Sequence, residues 1–248
     1  MATVRDVALP LATICTPVPR VGDGICDRCH RPPSPPYTRC WSCEQVENQV
    51  SRPCRLIVPI SLYAVGYQLH FQLRQYKDSE DSQMAREFLV RTAALLGYFL
   101  QQHDGCIATA ADGGWDVITS VPSSTDRPGE HPLAAAIKLV PSLREQYEPL
   151  LRRGSTPTHH NVASDDSYRP LRQLGGERVL LVDDTLTSGA RAQSAASALN
   201  NAGGTVVAIV PVGRVIDPGY NPGFWNNQSR LVFDFNVCCV GDHEDAAR

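Results

Sequence analysis

The sequence predicts an α/β fold built on a parallel sheet, and three observations carry that prediction. Val179 to Val182 is a run of four aliphatic residues, the pattern of a short strand buried on both faces. It passes through a small polar loop directly into ARAQSAASALN, a polar-alanine stretch with the composition of a helix. WDVITSV, residues 115 to 121, then a short polar loop and an alanine-rich helix from about 131, repeats the same unit, and TVVAIVPVGRV after Ala202, Gly203 and Gly204 adds a further buried strand.

Taken in order, residues 1 to 24 show no hydrophobic period and are expected to be an extended lead-in. CDRCHRPPSPPYTRCWSC follows, in which Cys26 with Cys29 and Cys40 with Cys43 form two Cys-x-x-Cys pairs. Each pair can clamp a metal from a tight turn, and four thiolates complete a closed tetrahedral site suited to a structural Zn2+, with His30 a substitute ligand. The intervening RPPSPP can form neither helix nor central strand, so a folded knuckle there depends on its metal. A redox dithiol is the rival reading of the same spacing. Cys15, Cys54, Cys106, Cys238 and Cys239 sit in or beside apolar sequence and are expected to be core thiols.

Pro53 and the polar run before it place a boundary near residue 52, giving a lead-in and knuckle over 1–52 and a main domain over 53–248. RLIVPISLYAV (55–65) and YQLHFQLRQYKD are expected to be strands. Residues 82 to 103 form a helix capped by Ser82, with Met84, Phe88, Leu89, Leu95, Leu96, Phe99 and Leu100 on one face. Pro141 divides the helical stretch from 131. GSTPTHHNVASDDSYRP, from Gly154 to Pro170, is polar and aperiodic, the pattern of a lid, and its adjacent His159 and His160 are expected to be exposed. RLVFDFNVCCV (230–240) is expected to be the last strand, with a frayed tail beyond.

At 248 residues the chain can bury one good core and carry a small appendage. A net charge of −3 gives no global signature of a nucleic-acid binder, although arginine supplies all but two of the 23 cations, which suits phosphate recognition. No apolar run reaches the length of a membrane span, and the start is a poor signal peptide. An odd number of cysteines, nine, with four in metal-ligand spacing, argues against a disulfide framework. A cytoplasmic protein with no membrane partner is expected.

The chemistry concentrates after Val182, where Asp183 and Asp184 are followed by Thr185, Leu186, Thr187, Ser188 and Gly189. A small loop feeding a helix N-terminus presents unpaired N–H groups to a phosphate, and bulky side chains would keep it away. Two acids beside that seat repel a bare phosphate, so they must meet hydroxyls or Mg2+. A P-loop ATPase needs G-x-x-x-x-G-K-[ST] upstream, and neither Lys77 nor Lys138 follows a glycine.

VLLVDDTLTSG resembles the phosphoribosyl pyrophosphate (PRPP) motif of type I phosphoribosyltransferases, at every position. The resemblance implies that fold, with Asp183 and Asp184 on the ribose hydroxyls and Thr185 to Gly189 around the 5′-phosphate. With the cysteine knuckle in front, nearly the whole chain resembles the competence protein ComF family. LRQYKDSED, Leu73 to Asp81, stands where that family has L-K-Y-x-G-D, and Val121 with Pro122 stands at its V-P position. The resemblance implies a pyrophosphate loop formed by Val121, Pro122, Ser123 and Ser124, with Arg127 a nearby cation. The family's R-G-F-N-Q segment is replaced by DRPGEHPLA, and the Lys and Gln of its lid are absent, with Arg152, Arg153, His159 and Arg169 as stand-ins.

The expected activity is Mg2+-dependent transfer of ribose 5-phosphate from PRPP to an unidentified acceptor with release of pyrophosphate. The alternative is a non-catalytic protein of the same fold that serves DNA uptake or repair through single-stranded DNA or a helicase partner, with Tyr37 and Trp41 of the knuckle as stacking surfaces. The acceptor and the oligomeric state are not legible in the sequence.

Overall fold

Four parallel strands form the central sheet, in the spatial order β1 (Ser61–Ala64), β6 (Thr205–Ile216), β5 (Arg178–Leu186) and β2 (Val117–Ser120). The structure is a computed structural model and describes residues 2–123, 129–157 and 159–241, to which every statement below refers. A second, antiparallel pair joins β3 (Leu151–Arg153) to β4 (Tyr168–Pro170). The helices are α1 (Val4–Ala8), α2 (Trp41–Glu47), α3 (Gln68–Asp78), α4 (Ser82–Ala110), α5 (Pro132–Leu139), α6 (Pro141–Arg144), α7 (Ala190–Asn201) and α8 (Pro222–Gln228).

β5 shows why the sheet reads as a continuous apolar run. Leu180 and Val182 enter the core on one face, against α4, while Val179 and Leu181 enter the core on the other, against the alanines of α7. A strand buried on both faces has no polar side to display. The knuckle cysteines belong to the second of these cores, so the N-terminal segment shares apolar packing with β5 and α7.

Several elements differ from the sequence expectation. The lead-in is not extended: Thr3 and Asp6 form a reciprocal capping box that starts α1, which packs on α4. YQLHFQLRQYKD is a helix and not a strand. Alternation of Tyr67, Leu69, Phe71 and Leu73 mimics a strand, but the buried positions are Leu69, Gln72, Leu73 and Tyr76, the i, i+3, i+4, i+7 spacing of one helix face. The long helix is capped by Asp81, which accepts from the Gln83 and Met84 N–H groups, and not by Ser82. Residues 230–240 make no strand. Their alternation is real, with Val232 90 % exposed and Phe233 buried, but it packs an irregular segment against α4 with no strand to pair with.

The polar segment 154–170 is tied down. Its end, β4, pairs with β3 just before it, and its middle is held by N–H donation from Asn161 to Ser188 Oγ (3.1 Å), from Ala163 to Gln49 Oε1 (2.6 Å) and from Ser164 to Ser194 Oγ (3.0 Å). Among the described residues no helix is long and apolar enough to cross a membrane.

Candidate functional site

β5 does not stop before the acid pair. It runs on through both aspartates, with Asp183 opposite Pro211 and Thr185 opposite Gly213 on β6. Both carboxylates are therefore inside the sheet, 2 % and 3 % exposed, and the expectation of two open acids at a strand tip is corrected. They form the floor of a cavity of about 450 Å³, whose wall includes Thr185, Leu186, Thr187, Ser188 and Gly189. Gly189 takes a left-handed φ of +86°, which lets the chain turn straight from the loop into α7 and leaves no capping side chain at its first residue. Ala190 to Ala192, the first turn of α7, lines the same cavity.

The two acids differ in their surroundings. Asp184 Oδ2 accepts from Tyr76 OH (2.7 Å) and pairs with Lys77, while its Oδ1 is buried with no hydrogen-bond partner. Burial pushes its carboxyl up, but Lys77, Tyr76 and Arg191 outweigh that and hold it below the usual carboxylate range. Asp183 Oδ1 accepts from the Asp184 N–H (3.0 Å). Burial dominates there, opposed by Arg191 and reinforced by Asp184, and pushes Asp183 up to about 7.

Basic side chains line the wall above this floor. His70, Arg74 and Lys77 come from α3, with Asp78 beside them, Arg191 from α7, and His159 and His160 from the segment before β4. The histidines are exposed as expected, but they face the cavity. Tyr63 of β1 also lines it, its hydroxyl donating to Thr185 Oγ1 (3.3 Å). Sequence reasoning named LRQYKD but gave Arg74, Tyr76 and Lys77 no site role, because a strand reading would scatter them over two faces. The helical period was the available signal. Arg191 carried none beyond its place in the first turn of α7.

The loop after β2 lies beside β5, with Val121 N–H donating to Val182 O (3.0 Å). Pro122 and Ser123 line a separate cavity of about 300 Å³, with Tyr147 and Arg153 among its other residues, rather than the one over the aspartates. Arg191 joins the two sites, lining the first and donating to Pro122 O (3.2 Å). Ser124 and Arg127 lie outside the described residues.

The four knuckle cysteines converge as their spacing predicts. Cys26, Cys29, Cys40 and Cys43 are at most 6 % exposed, and their sulfurs all lie within 4.8 Å of one another. The Cys40 N–H donates to Cys26 Sγ (3.4 Å). A redox dithiol needs an accessible sulfur, which this burial denies, whereas a closed thiolate site is what Zn2+ requires. The cluster can hold a structural zinc. His30 is not part of it, since its ring nitrogens face Pro19 O and Ile57 O.

Arg214 connects knuckle and loop. This β6 side chain is 1 % exposed, and it donates to Cys29 Sγ (3.2 Å), Cys29 O (3.3 Å), Leu186 O (2.8 Å) and Thr187 O. Zn2+ with four thiolates carries two net negative charges, and a buried guanidinium against one of the sulfurs offsets part of them. The remaining donors turn the loop carbonyls toward the interior.

Neither a protein-family model, nor a curated protein, nor a solved structure matches this chain.

Proposed function

We propose that the chain is a phosphoribosyltransferase-like protein that binds PRPP over Asp183 and Asp184 and transfers its ribose 5-phosphate to an acceptor, releasing pyrophosphate. The single observation that supports it most is Asp184 Oδ1, a carboxylate oxygen buried without a partner at the floor of a cavity whose wall carries Arg74, Lys77 and Arg191. A ligand that is both anionic and rich in hydroxyls answers both features: hydroxyls donate to the acids, and phosphates meet Arg74, Lys77, Arg191 and the first turn of α7.

In this reading Mg2+ enters with the substrate. Among the described residues, the metal-ligand trios are confined to the cysteine knuckle and to a cluster around His103, and the cavity has none of its own. The ion would neutralise the leaving pyrophosphate. The chain's own residues position the sugar and stabilise charge, and no side chain needs to attack. Calorimetry with PRPP and Mg2+ tests this: wild-type protein should bind, and Asp183→Asn with Asp184→Asn should abolish binding. Retained affinity in that double variant overturns the site.

A second reading is supported by one observation. Tyr37 and Trp41 of the knuckle are 68 % and 62 % exposed, where small knuckles usually bury their aromatics. In this reading they stack on unpaired bases and the domain is a non-catalytic PRPP-fold protein acting on single-stranded DNA or with a helicase. Pyrophosphate release with a panel of acceptor bases favours the enzyme. Shifted single-stranded DNA that is lost in Tyr37→Ala with Trp41→Ala, without such release, favours the rival.

A further inference from the structure

α4 carries His103 and Cys106 one turn apart, and the irregular segment after α8 brings Cys238 against them. The ligand atoms of these three residues lie within 4.8 Å of one another, as do those of the four-cysteine cluster. His103 and Cys238 are buried, at 1 % and 5 %, and Cys106 is partly exposed. The sequence marks Cys106 and Cys238 as ordinary core thiols and gives His103 no role. Nothing in the reaction proposed above uses them.

The surroundings are those of ligands. His103 Nε2 is 2.8 Å from Phe235 O, so the N–H of the neutral ring sits on Nε2 and the lone pair on Nδ1. Nδ1 faces Cys106 Sγ at 3.8 Å. A backbone carbonyl that fixes tautomer and ring orientation in this way is the usual outer partner of a metal-bound histidine. On the opposite side, the Gly241 N–H donates to Cys238 Sγ at 3.2 Å, three residues along a turn. The established pattern of the knuckle, Cys40 N–H on Cys26 Sγ, is the same contact.

We propose that His103, Cys106 and Cys238 form a second metal site, for Zn2+, with water as the fourth ligand on the partly exposed side of Cys106. Imidazole nitrogen and thiolate sulfur suit a borderline-soft divalent ion. Two thiolates, one neutral imidazole and Zn2+ sum to zero charge, so the site can be buried without a counter-ion such as Arg214 supplies to the knuckle. The site also accounts for the path of residues 230–241. That segment has no strand partner among the described residues, and a metal would clip it to the last two turns of α4.

The test is the metal content of the full-length chain, purified and reconstituted with Zn2+ under reducing conditions. Two equivalents per chain are expected, one for each of the two clusters. Cys238→Ser and Cys106→Ser should each hold one, and should keep the Co2+ absorption of the four-thiolate site after exchange. His103→Gln should weaken the second equivalent at least tenfold. Wild-type protein that saturates at one equivalent with every thiol reduced overturns the proposal without reliance on any variant. So does a second equivalent that persists in both cysteine variants, or a Cys106–Cys238 disulfide that forms in place of metal uptake.

Discussion

Two adjacent aspartates on one strand face opposite electrostatic problems. Asp184 is matched by Lys77 and Tyr76, whereas Asp183 is buried beside a second carboxylate, with Arg191 as its main relief. The Asp183 carboxyl has a folded-state pKa above its unfolded value near ~3.9. Its contribution to stability is therefore complete below about pH 4 and is lost as the pH rises through about 7. Asp183→Asn should consequently melt above wild type at pH 8 and lose that advantage only as the pH falls to about 4, at about 2–4 °C per kcal/mol for a chain of this size. Asp184→Asn should lower stability by about 2–3 kcal/mol, less than the roughly 3–5 kcal/mol of a fully buried pair, because Lys77 is 23 % exposed. Thermal melts at the two pH values check both. A shift of the same sign in both variants, or none in either, would show that the two carboxylates are not held differently.

At the scale of elements, the contact between β1, α3 and β6 shapes the cavity wall. A Cβ on Gly213 would lie 2.5 Å from the Tyr63 ring and 2.9 Å from Leu73, so only glycine lets β6 pass behind them. Gly213→Ala should cost about 1–3 kcal/mol by overpacking and should displace the Tyr63 hydroxyl from Thr185. Gly223→Ala, where nothing lies within 4 Å, is the neutral control; urea midpoints at unchanged m-value separate the two. The same elements show what a sequence discloses. β5 and β6 were legible because burial on both faces leaves only aliphatic residues, and the knuckle because four sulfurs at that spacing have few other uses. α3 was not, because its apolar residues satisfy periods of two and of 3.6 at once, and only packing on α4 chooses between them. α1 was signalled by the Thr3 and Asp6 pair, which is short and easily passed over. The segment 230–240 has the alternation of a strand, but alternation reports exposure and not pairing.

For the molecule as a whole, the knuckle is joined to the core that covers one face of the sheet, since its cysteines pack with Val179, Leu181 and the helix α7. Stripping the metal with a chelator under reducing conditions should therefore lower a single cooperative melting transition in calorimetry. A separate low-temperature transition, with the remainder unchanged, would mean that the knuckle folds independently. Under the proposed function, the same treatment should weaken the affinity for PRPP with Mg2+, because Arg214 holds a cluster sulfur with one end of its guanidinium and the Leu186 and Thr187 carbonyls with the other. Coupling free energies act equally in both directions. A sugar phosphate bound in the proposed site would then raise the affinity for the ion by the same factor by which the ion raises the affinity for the sugar phosphate, so that occupancy of either site is recorded at the other.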